Sequence, residues 1–151
     1  MNHAIELDDL DRELIRILEL NSRMSYRKIA ERLRVSPATV LVRLRKLRRK
    51  GIIKGFTVDL DPTKLGYTAQ AIMLIKTEPK KMKLVANKLA SLPNAVEIYE
   101  VTGEYHVLVK IWAEDQNSLA KLIDLISGIE GIRDFNIVYI LKVVKEARSP
   151  L

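Results

Sequence analysis

The chain has 151 residues, of which 48% are hydrophobic and 30% charged, and a formal net charge of +7. This balance excludes a disordered chain and predicts one ordinary domain or two small ones. The absence of cysteine excludes a disulfide framework, a thiol nucleophile and thiolate metal sites. Since the two histidines, His3 and His106, lie far apart in sequence, we expect no metal site and no cofactor.

The termini and apolar runs give no sign of membrane targeting. The first nine residues are acidic and lack an apolar core, so no signal peptide is expected. No apolar run approaches the roughly 20 residues that span a bilayer. We therefore expect a cytoplasmic protein without a membrane partner.

The positive charge is concentrated in the first third of the chain. Residues 1–55 hold 14 Lys and Arg against 7 Asp and Glu, whereas residues 56–151 hold 12 of each. Nine basic residues and no acid lie between Glu31 and Asp59. A charge run is usually a solvated face, but its concentration on one segment favours a polyanionic partner.

Three short helices are predicted in this basic region. Apolar spacing indicates a helix over 8–20 and a second over 25–33. After a two-residue turn, a third helix is predicted, with Ser36 as its cap, Pro37 in its first turn and Gly51 just past its end. This order is typical of a helix-turn-helix whose third helix is the recognition helix.

The third helix is apolar on one side, where Val40, Leu44 and Leu47 recur at helical spacing, and basic elsewhere. We predict that it enters the major groove of double-stranded DNA, with Arg43 as the best candidate for a bidentate guanine contact. The candidate DNA-binding residues are Ser36, Ala38, Thr39, Val42, Arg43, Arg45, Lys46, Arg48, Arg49, Lys50 and Lys54. Those predicted to face the groove are Ala38, Thr39, Val42, Arg43 and Lys46, with the remaining cations on phosphates. The alternative for Arg48 to Lys50 is a solvated helix end that favours the helix dipole.

The segment after the third helix marks a domain boundary. Residues 52–60 alternate enough in polarity to predict a wing or a linker strand, and 61–66 a turn. We therefore predict a helix-turn-helix domain over 1–55, a hinge of linker strand and loop over 56–66, and a second domain over 67–151.

The second domain alternates strands and helices. Strands are predicted over 67–77, 95–102, 105–113 and 132–145, and helices over 79–92 and 116–127. The two middle strands are predicted to meet in a tight hairpin at Gly103-Glu104. The order β-α-β-β-α-β is that of the ferredoxin-like fold, with both helices on one face of the sheet. Since the last two strands carry large apolar groups on both faces, the uncovered face is predicted to pack against a second copy in a homodimer.

Several short motifs, in order along nearly the whole chain, resemble the Lrp/AsnC (leucine-responsive, feast/famine) family of prokaryotic transcription regulators. They include Leu7-Asp8-Asp9-Leu10-Asp11, Asn21-Ser22-Arg23, Gly51-Ile52-Ile53-Lys54-Gly55-Phe56 and Thr102-Gly103-Glu104-Tyr105. The resemblance implies an α+β chain with an N-terminal winged helix-turn-helix domain and a C-terminal ferredoxin-like βαββαβ domain. It also implies that the second domain dimerises, often assembles into octamers, and binds small effectors, commonly amino acids, between subunits. Such a dimer is expected to bind a pseudo-palindromic operator.

Two departures from the family pattern concern the effector region. The family motif often ends in an acid where this chain has His106, and commonly has Thr-x-Thr where this chain has Phe135-Asn136-Ile137. Losing a carboxylate and two hydroxyls removes partners for an amino acid, so a changed effector or none is predicted. The candidate effector-binding residues are Gly103, Glu104, Tyr105, His106, Phe135 and Ile137. The alternative for His106 is a partly buried histidine at a subunit contact.

Two other functions fit the same architecture. An effector sensor or co-regulator with weak DNA binding is disfavoured by the acid-free basic stretch, and salt-dependent binding to random DNA would separate it. An enzyme similar to the sirohaem decarboxylases is disfavoured by the basic helix and by the absence of another histidine near His106. We therefore predict a sequence-specific DNA-binding transcription regulator that is not an enzyme.

Overall fold

The chain divides into two compact units. The computed structural model describes residues 6–146 and Ser149, so His3 lies outside the described residues. An N-terminal unit, up to Asp59, separates from a C-terminal unit, Leu60–Glu146. The division lies inside the segment predicted as the hinge. Within the described ranges, no helix has both the length and the apolar content to cross a membrane.

The N-terminal unit is a bundle of three short helices. These are α1 (Asp9–Leu20), α2 (Tyr26–Leu33) and α3 (Pro37–Arg49). The side chain immediately before each helix accepts an N–H from its first turn; these caps are Asp8, Ser25 and Ser36. Leu14, Ile29 and Leu47, one from each helix, are at most 1% exposed and form the centre of the core. The predicted three-helix arrangement is confirmed.

Two backbone positions set the bounds of α3. Arg34, in the turn after α2, has a φ of 55°, and the next N–H, of Val35, donates to Ala30 O over 3.0 Å. Val35 also packs against the core, which fixes where α3 begins. Gly51 has a φ of 70°, a conformation that side chains disfavour, and it ends the helix as predicted.

The strand predicted after α3 does not form. Residues 52–60 have no strand. The amides of Ile52 and Ile53 instead donate to Leu47 O over 3.0 and 3.3 Å, and both side chains pack against the N-terminal core. The apolar pair at the start of the predicted strand therefore closes the helix bundle. The turn predicted over 61–66 is present, with Asp61 Oδ1 accepting from the amides of Thr63 and Lys64.

The C-terminal unit has the predicted ferredoxin-like order. Its elements are β1 (Ala69–Thr77), α4 (Met82–Ala90), β2 (Ala95–Glu100), β3 (Val107–Ala113), α5 (Gln116–Ser127) and β4 (Ile132–Tyr139). The strands form an antiparallel sheet in the order β2-β3-β1-β4. Alternate side chains of β1 and β3 are fully buried against Val85 and Leu89 of α4 and Leu119 and Ile126 of α5. One face of the sheet therefore carries the core.

Three predicted bounds need correction. The β2–β3 hairpin is wider than the predicted tight turn at Gly103-Glu104: the strands end at Glu100 opposite Val107, and the Val101 amide donates to His106 O over 2.9 Å before residues 102–105 complete the loop. Helix α4 begins at Met82, after a turn that contains Pro79. Strand β4 ends at Tyr139, opposite Ala71 of β1, rather than at 145. The Ile140 amide still donates to Gln70 O over 3.0 Å, but β1 begins at Ala69, so residues beyond 141 have no neighbouring strand.

The other face of the sheet carries a mixture of apolar and paired charged side chains. Its apolar members include Ile72 and Leu74 of β1, Leu108 and Trp112 of β3, and Val138 of β4. Lys110 lies among them and pairs with Glu97 at 3.2 Å and with Glu146 at 3.1 Å. Since α4 and α5 pack on the opposite face, this apolar surface is half-exposed in the single chain.

Candidate nucleic-acid interface

Helix α3 exposes one face along its whole length. The side chains on this face are Ala38, Val42, Arg45 and Arg49, all exposed, with Val42 at 63%. Residues at this spacing lie one above the other, opposite the buried stripe of Val40, Leu44 and Leu47. We call these four residues the outward face of α3. The cations Arg45, Arg48, Arg49, Lys50 and Lys54 are exposed, and none of them pairs with a carboxylate among the described residues.

Arg43 lies at the edge of the buried stripe, which corrects its predicted place on the groove side. At about 100° per residue, it is only about 40° from Leu47 around the helix axis. Its Nη1 donates to Asp8 Oδ2 and, over 3.1 Å, to Asp11 Oδ1. Both carboxylates belong to the start of α1, so the guanidinium proposed to contact guanine is held inside the N-terminal unit. Lys46 reaches the same acid, with Nζ donating to Asp11 Oδ2 over 2.9 Å.

Asp11 is a charged residue in the core of the helix bundle. It is 0% exposed, and its two carboxylate oxygens accept from Arg43 and Lys46. A buried carboxylate without such partners would be strongly destabilising. This role was not predicted from the sequence, although Asp11 lies three, four and seven residues before the buried Leu14, Ile15 and Leu18. An acid on an apolar stripe is the signal that could have identified it.

The Asp8–Arg43 ion pair predicts a loss of stability in acid. The Arg43 guanidinium, and then the Asp11 amide, hold the pKa of Asp8 below its ordinary value. Because the folded state binds this proton less readily than the unfolded chain, the stabilisation is complete above about pH 4 and is lost as the pH falls through the lowered pKa.

We expect Asp8→Asn, which keeps a good helix cap but removes the charge, to be less stable than wild type at pH 6. The difference should shrink as the pH falls through the lowered pKa of Asp8. Amide hydrogen exchange in α1–α3, followed from pH 6 downwards, measures the difference in stability between the variant and the wild type. A difference that does not change with pH would show that the charge of Asp8 contributes nothing.

The candidate effector motif forms a loop attached to the end of β1. Gly103 has a φ of 117°. The carboxylate of Glu104 accepts from Lys76 Nζ over 2.9 Å and raises the pKa of that lysine, whose Nζ also lies 5.7 Å from the centre of the Tyr105 ring. The His106 amide donates to Ile75 O over 2.9 Å. Gly103, Glu104, Tyr105 and His106 are therefore brought together in one loop beside β1.

His106 has a defined tautomer. The Thr77 amide donates to His106 Nδ1 over 3.0 Å. Since a backbone N–H can only donate, Nδ1 is an acceptor and the neutral ring carries its proton on Nε2. Thr77 is 1% exposed, so the imidazole satisfies a buried amide that would otherwise lack an acceptor.

We expect His106→Ala to destabilise the C-terminal unit by about 1–3 kcal/mol, the cost of leaving the Thr77 amide without an acceptor. Denaturant unfolding followed by the fluorescence of Trp112, the only tryptophan of the sequence, measures the free energy of unfolding of this unit. Glu104→Gln, which breaks only an exposed pair, is the matched control and should cost less than about 1 kcal/mol. Equal stability of His106→Ala and wild type would contradict the assigned role.

The side chains of Phe135 and Ile137, the other two candidate effector residues, point into the core and not towards this loop. They pair with Ile75 and Met73 of β1, which are fully buried, and pack against the core beneath the helices. They therefore stabilise the helix-covered side of the sheet. Within the described residues, no group of three or more His, Asp and Glu side chains is placed to hold a metal ion.

Comparisons with known proteins cover both units. Residues 7–54 match the family model for winged helix-turn-helix DNA-binding, and residues 70–150 match that for the Lrp/AsnC ligand binding domain. The chain is 37% identical over 142 residues to the HTH-type transcriptional regulator FL11 of Pyrococcus horikoshii, with 94% of each chain covered.

Solved structures show the same fold. The structure of Escherichia coli AsnC has a TM-score of 0.89 and 30% identity, covering 95% of this chain and 97% of that one. A Neisseria meningitidis transcriptional regulator, solved as a complex with L-Met, has a TM-score of 0.89 at 24% identity, covering 95% and 96%. From the two matched domains and these relatives, the chain belongs to the Lrp/AsnC family of transcriptional regulators, with a DNA-binding domain followed by a ligand-binding domain.

Proposed function

We propose that this regulator binds double-stranded DNA with the outward face of α3 in the major groove. The observation that carries the proposal is the set of exposed cations on and beside that face, free of any partner among the described carboxylates. Arg45 and Arg49 extend towards the DNA, whereas Arg48, Lys50 and Lys54 flank it and contact phosphates. Ser36 and Thr39 form the start of the helix, where the Thr39 amide donates to Ser36 Oγ over 3.0 Å.

We also propose a homodimer that binds a pseudo-palindromic operator. The half-exposed apolar face of the sheet supports this arrangement, because in a symmetric dimer this face of each copy would cover the same face of the other. Two copies of α3 would then contact half-sites separated by whole turns of DNA. The two units act as separate domains joined by the hinge over 56–66, which the division between Asp59 and Leu60 supports.

Selection of binding sites from a random duplex pool tests DNA recognition directly. We expect the full chain to enrich a two-fold symmetric site, and the complex on that site to contain two protomers by sedimentation. A pool that stays random, or binding that salt does not weaken, would overturn the proposal.

Leu108→Glu is expected to weaken the dimer. The change places one carboxylate per protomer on the half-buried apolar face, and so two in a symmetric interface. Because burying these charges is costly, the dimer dissociation constant should rise about 100-fold or more. Sedimentation at micromolar concentration measures the change. Lys121→Glu, on the exposed side of α5, is the control and should leave the dimer intact. A wild-type monomer, or a Leu108→Glu dimer, would argue against this interface.

We further propose that a small effector binds near the loop 103–106. The Neisseria relative shares the fold and was solved with L-Met, which supports a small-molecule site in this chain without identifying its ligand. His106 supplies a proton on Nε2 where the family often has an acid, so this position donates rather than accepts. Thermal-shift screening against amino acids and organic acids, read from Trp112 fluorescence, tests it; no shift with either class would argue against a small effector.

A further inference from the structure

The first turns of α3 expose apolar rather than hydrogen-bonding groups to the solvent. Val42 is 63% exposed, and Ala38, one turn before it on the same face, is also exposed. A single exposed valine is common on a protein surface. What distinguishes Val42 is its position on the outward face of α3, where it is available to an apolar group of the DNA.

The polar side chains near these two residues are already engaged. The hydroxyl of Thr39 lies 2.8 Å from Ser36 Oγ, within the helix cap. Arg43 and Lys46, which lie one turn apart on the same side of the buried stripe, donate to Asp8 and Asp11. The part of α3 that enters a major groove first therefore offers Ala38 and Val42 to the bases, and the free guanidinium groups follow only at Arg45 and Arg49.

In the major groove, thymine alone presents a methyl group on its exposed edge. Resting on the proposed DNA-binding function, we infer that Val42, with Ala38 beside it, contacts thymine 5-methyl groups and selects thymine within each half-site. Val42 is thus a specificity-determining residue, and the outward face of α3 combines an apolar base contact with basic phosphate or guanine contacts further along the helix.

A methyl-deletion cycle tests this contact on the full-length protein. Each thymine of the operator obtained by selection is replaced by deoxyuridine, which removes only the 5-methyl group. At one or two positions per half-site, we expect wild-type affinity to fall about fourfold, as for the loss of one buried methyl-sized group. With Val42→Ala, the replacement at the thymine that Val42 contacts should change the affinity less than about 1.5-fold, since the two γ-methyl groups of Val42 are gone.

Two controls separate a direct contact from general effects. Leu20→Ala removes another exposed side chain of the same unit, 85% exposed at the end of α1, and should preserve the fourfold sensitivity to deoxyuridine. Unchanged thermal unfolding of Val42→Ala shows that this surface variant is folded.

The outcomes distinguish this inference from the proposed function. Specific binding by wild type that is indifferent to every deoxyuridine, or equally sensitive in wild type and Val42→Ala, overturns the thymine contact while DNA binding stands. A protein that binds no duplex specifically overturns both. A fourfold effect that disappears only in Val42→Ala establishes the contact.

Discussion

Asp11→Asn is expected to destabilise the N-terminal unit by about 2–3 kcal/mol. Removing one member of a buried charge cluster leaves the others uncompensated, at a cost of about 3–5 kcal/mol when all are buried. The expected value is lower because the side chains of Arg43 and Lys46 are 28% and 31% exposed and can turn to water. Amide hydrogen exchange in α1–α3 of the full chain measures the change, with the β1 and β3 amides as an internal reference.

Asp9→Asn is the matched control for Asp11→Asn. Asp9 is an exposed acid in the first turn of the same helix. Removing its charge affects only the helix dipole and should cost less than about 1 kcal/mol. If both variants lost the same stability, the buried ion pairs would have no special role, and Asp11 would act merely as an acid near the helix start.

Arg45→Ala combined with Arg49→Ala is expected to weaken DNA binding about 10- to 100-fold at low salt, because two guanidinium groups per protomer no longer reach the DNA. If both groups neutralise phosphates, the slope of log affinity against log salt should fall by about 0.9 for each phosphate that is no longer neutralised. Fluorescence titration of a labelled operator between low and physiological salt gives both quantities.

A variant with the same change in net charge serves as the control for this pair. Lys121→Ala with Arg133→Ala removes two exposed cations from the C-terminal unit. We expect it to reduce affinity only slightly and to leave the salt slope unchanged. Equal effects of the two double variants would show that net charge, rather than the outward face of α3, determines binding.

The ends of α3 could be predicted because its cap, its apolar stripe and its basic residues all lie within one short segment. Helix α5 likewise has a local cap and a local stop, and it spans Gln116–Ser127 as predicted: the Asp115 carboxylate accepts from the Ser118 amide, and Gly128 follows the last turn. Where caps and periodicity are local, the sequence alone predicts the element and its ends.

Strand bounds depend instead on distant residues. The alternating apolar pattern after Tyr139 predicts a longer strand, yet a strand persists only where a neighbour supplies hydrogen bonds. Strand β1 begins at Ala69, two residues before Ala71, the partner of Tyr139, and so leaves residues beyond 141 without a neighbouring strand. In the same way the motif position of Phe135 and Ile137 predicts an effector contact, whereas the register with β1 places both side chains beneath the helices. The register between β1 and β4 cannot be predicted from the residues of either strand alone.

Contiguous residues were enough to predict α3 as a capped, basic helix, and short motifs along the chain were enough to predict a regulator of the Lrp/AsnC type, because charge, spacing and motif can all be read without knowing which distant residues meet. Which of its cations are free depends on the packing of distant segments. Arg43 and Asp8 are 35 residues apart, and the packing of α1 against α3 brings them together. Because this ion pair occupies Arg43, we propose that the bases are contacted by the outward face of α3 instead, which consists of Ala38, Val42, Arg45 and Arg49.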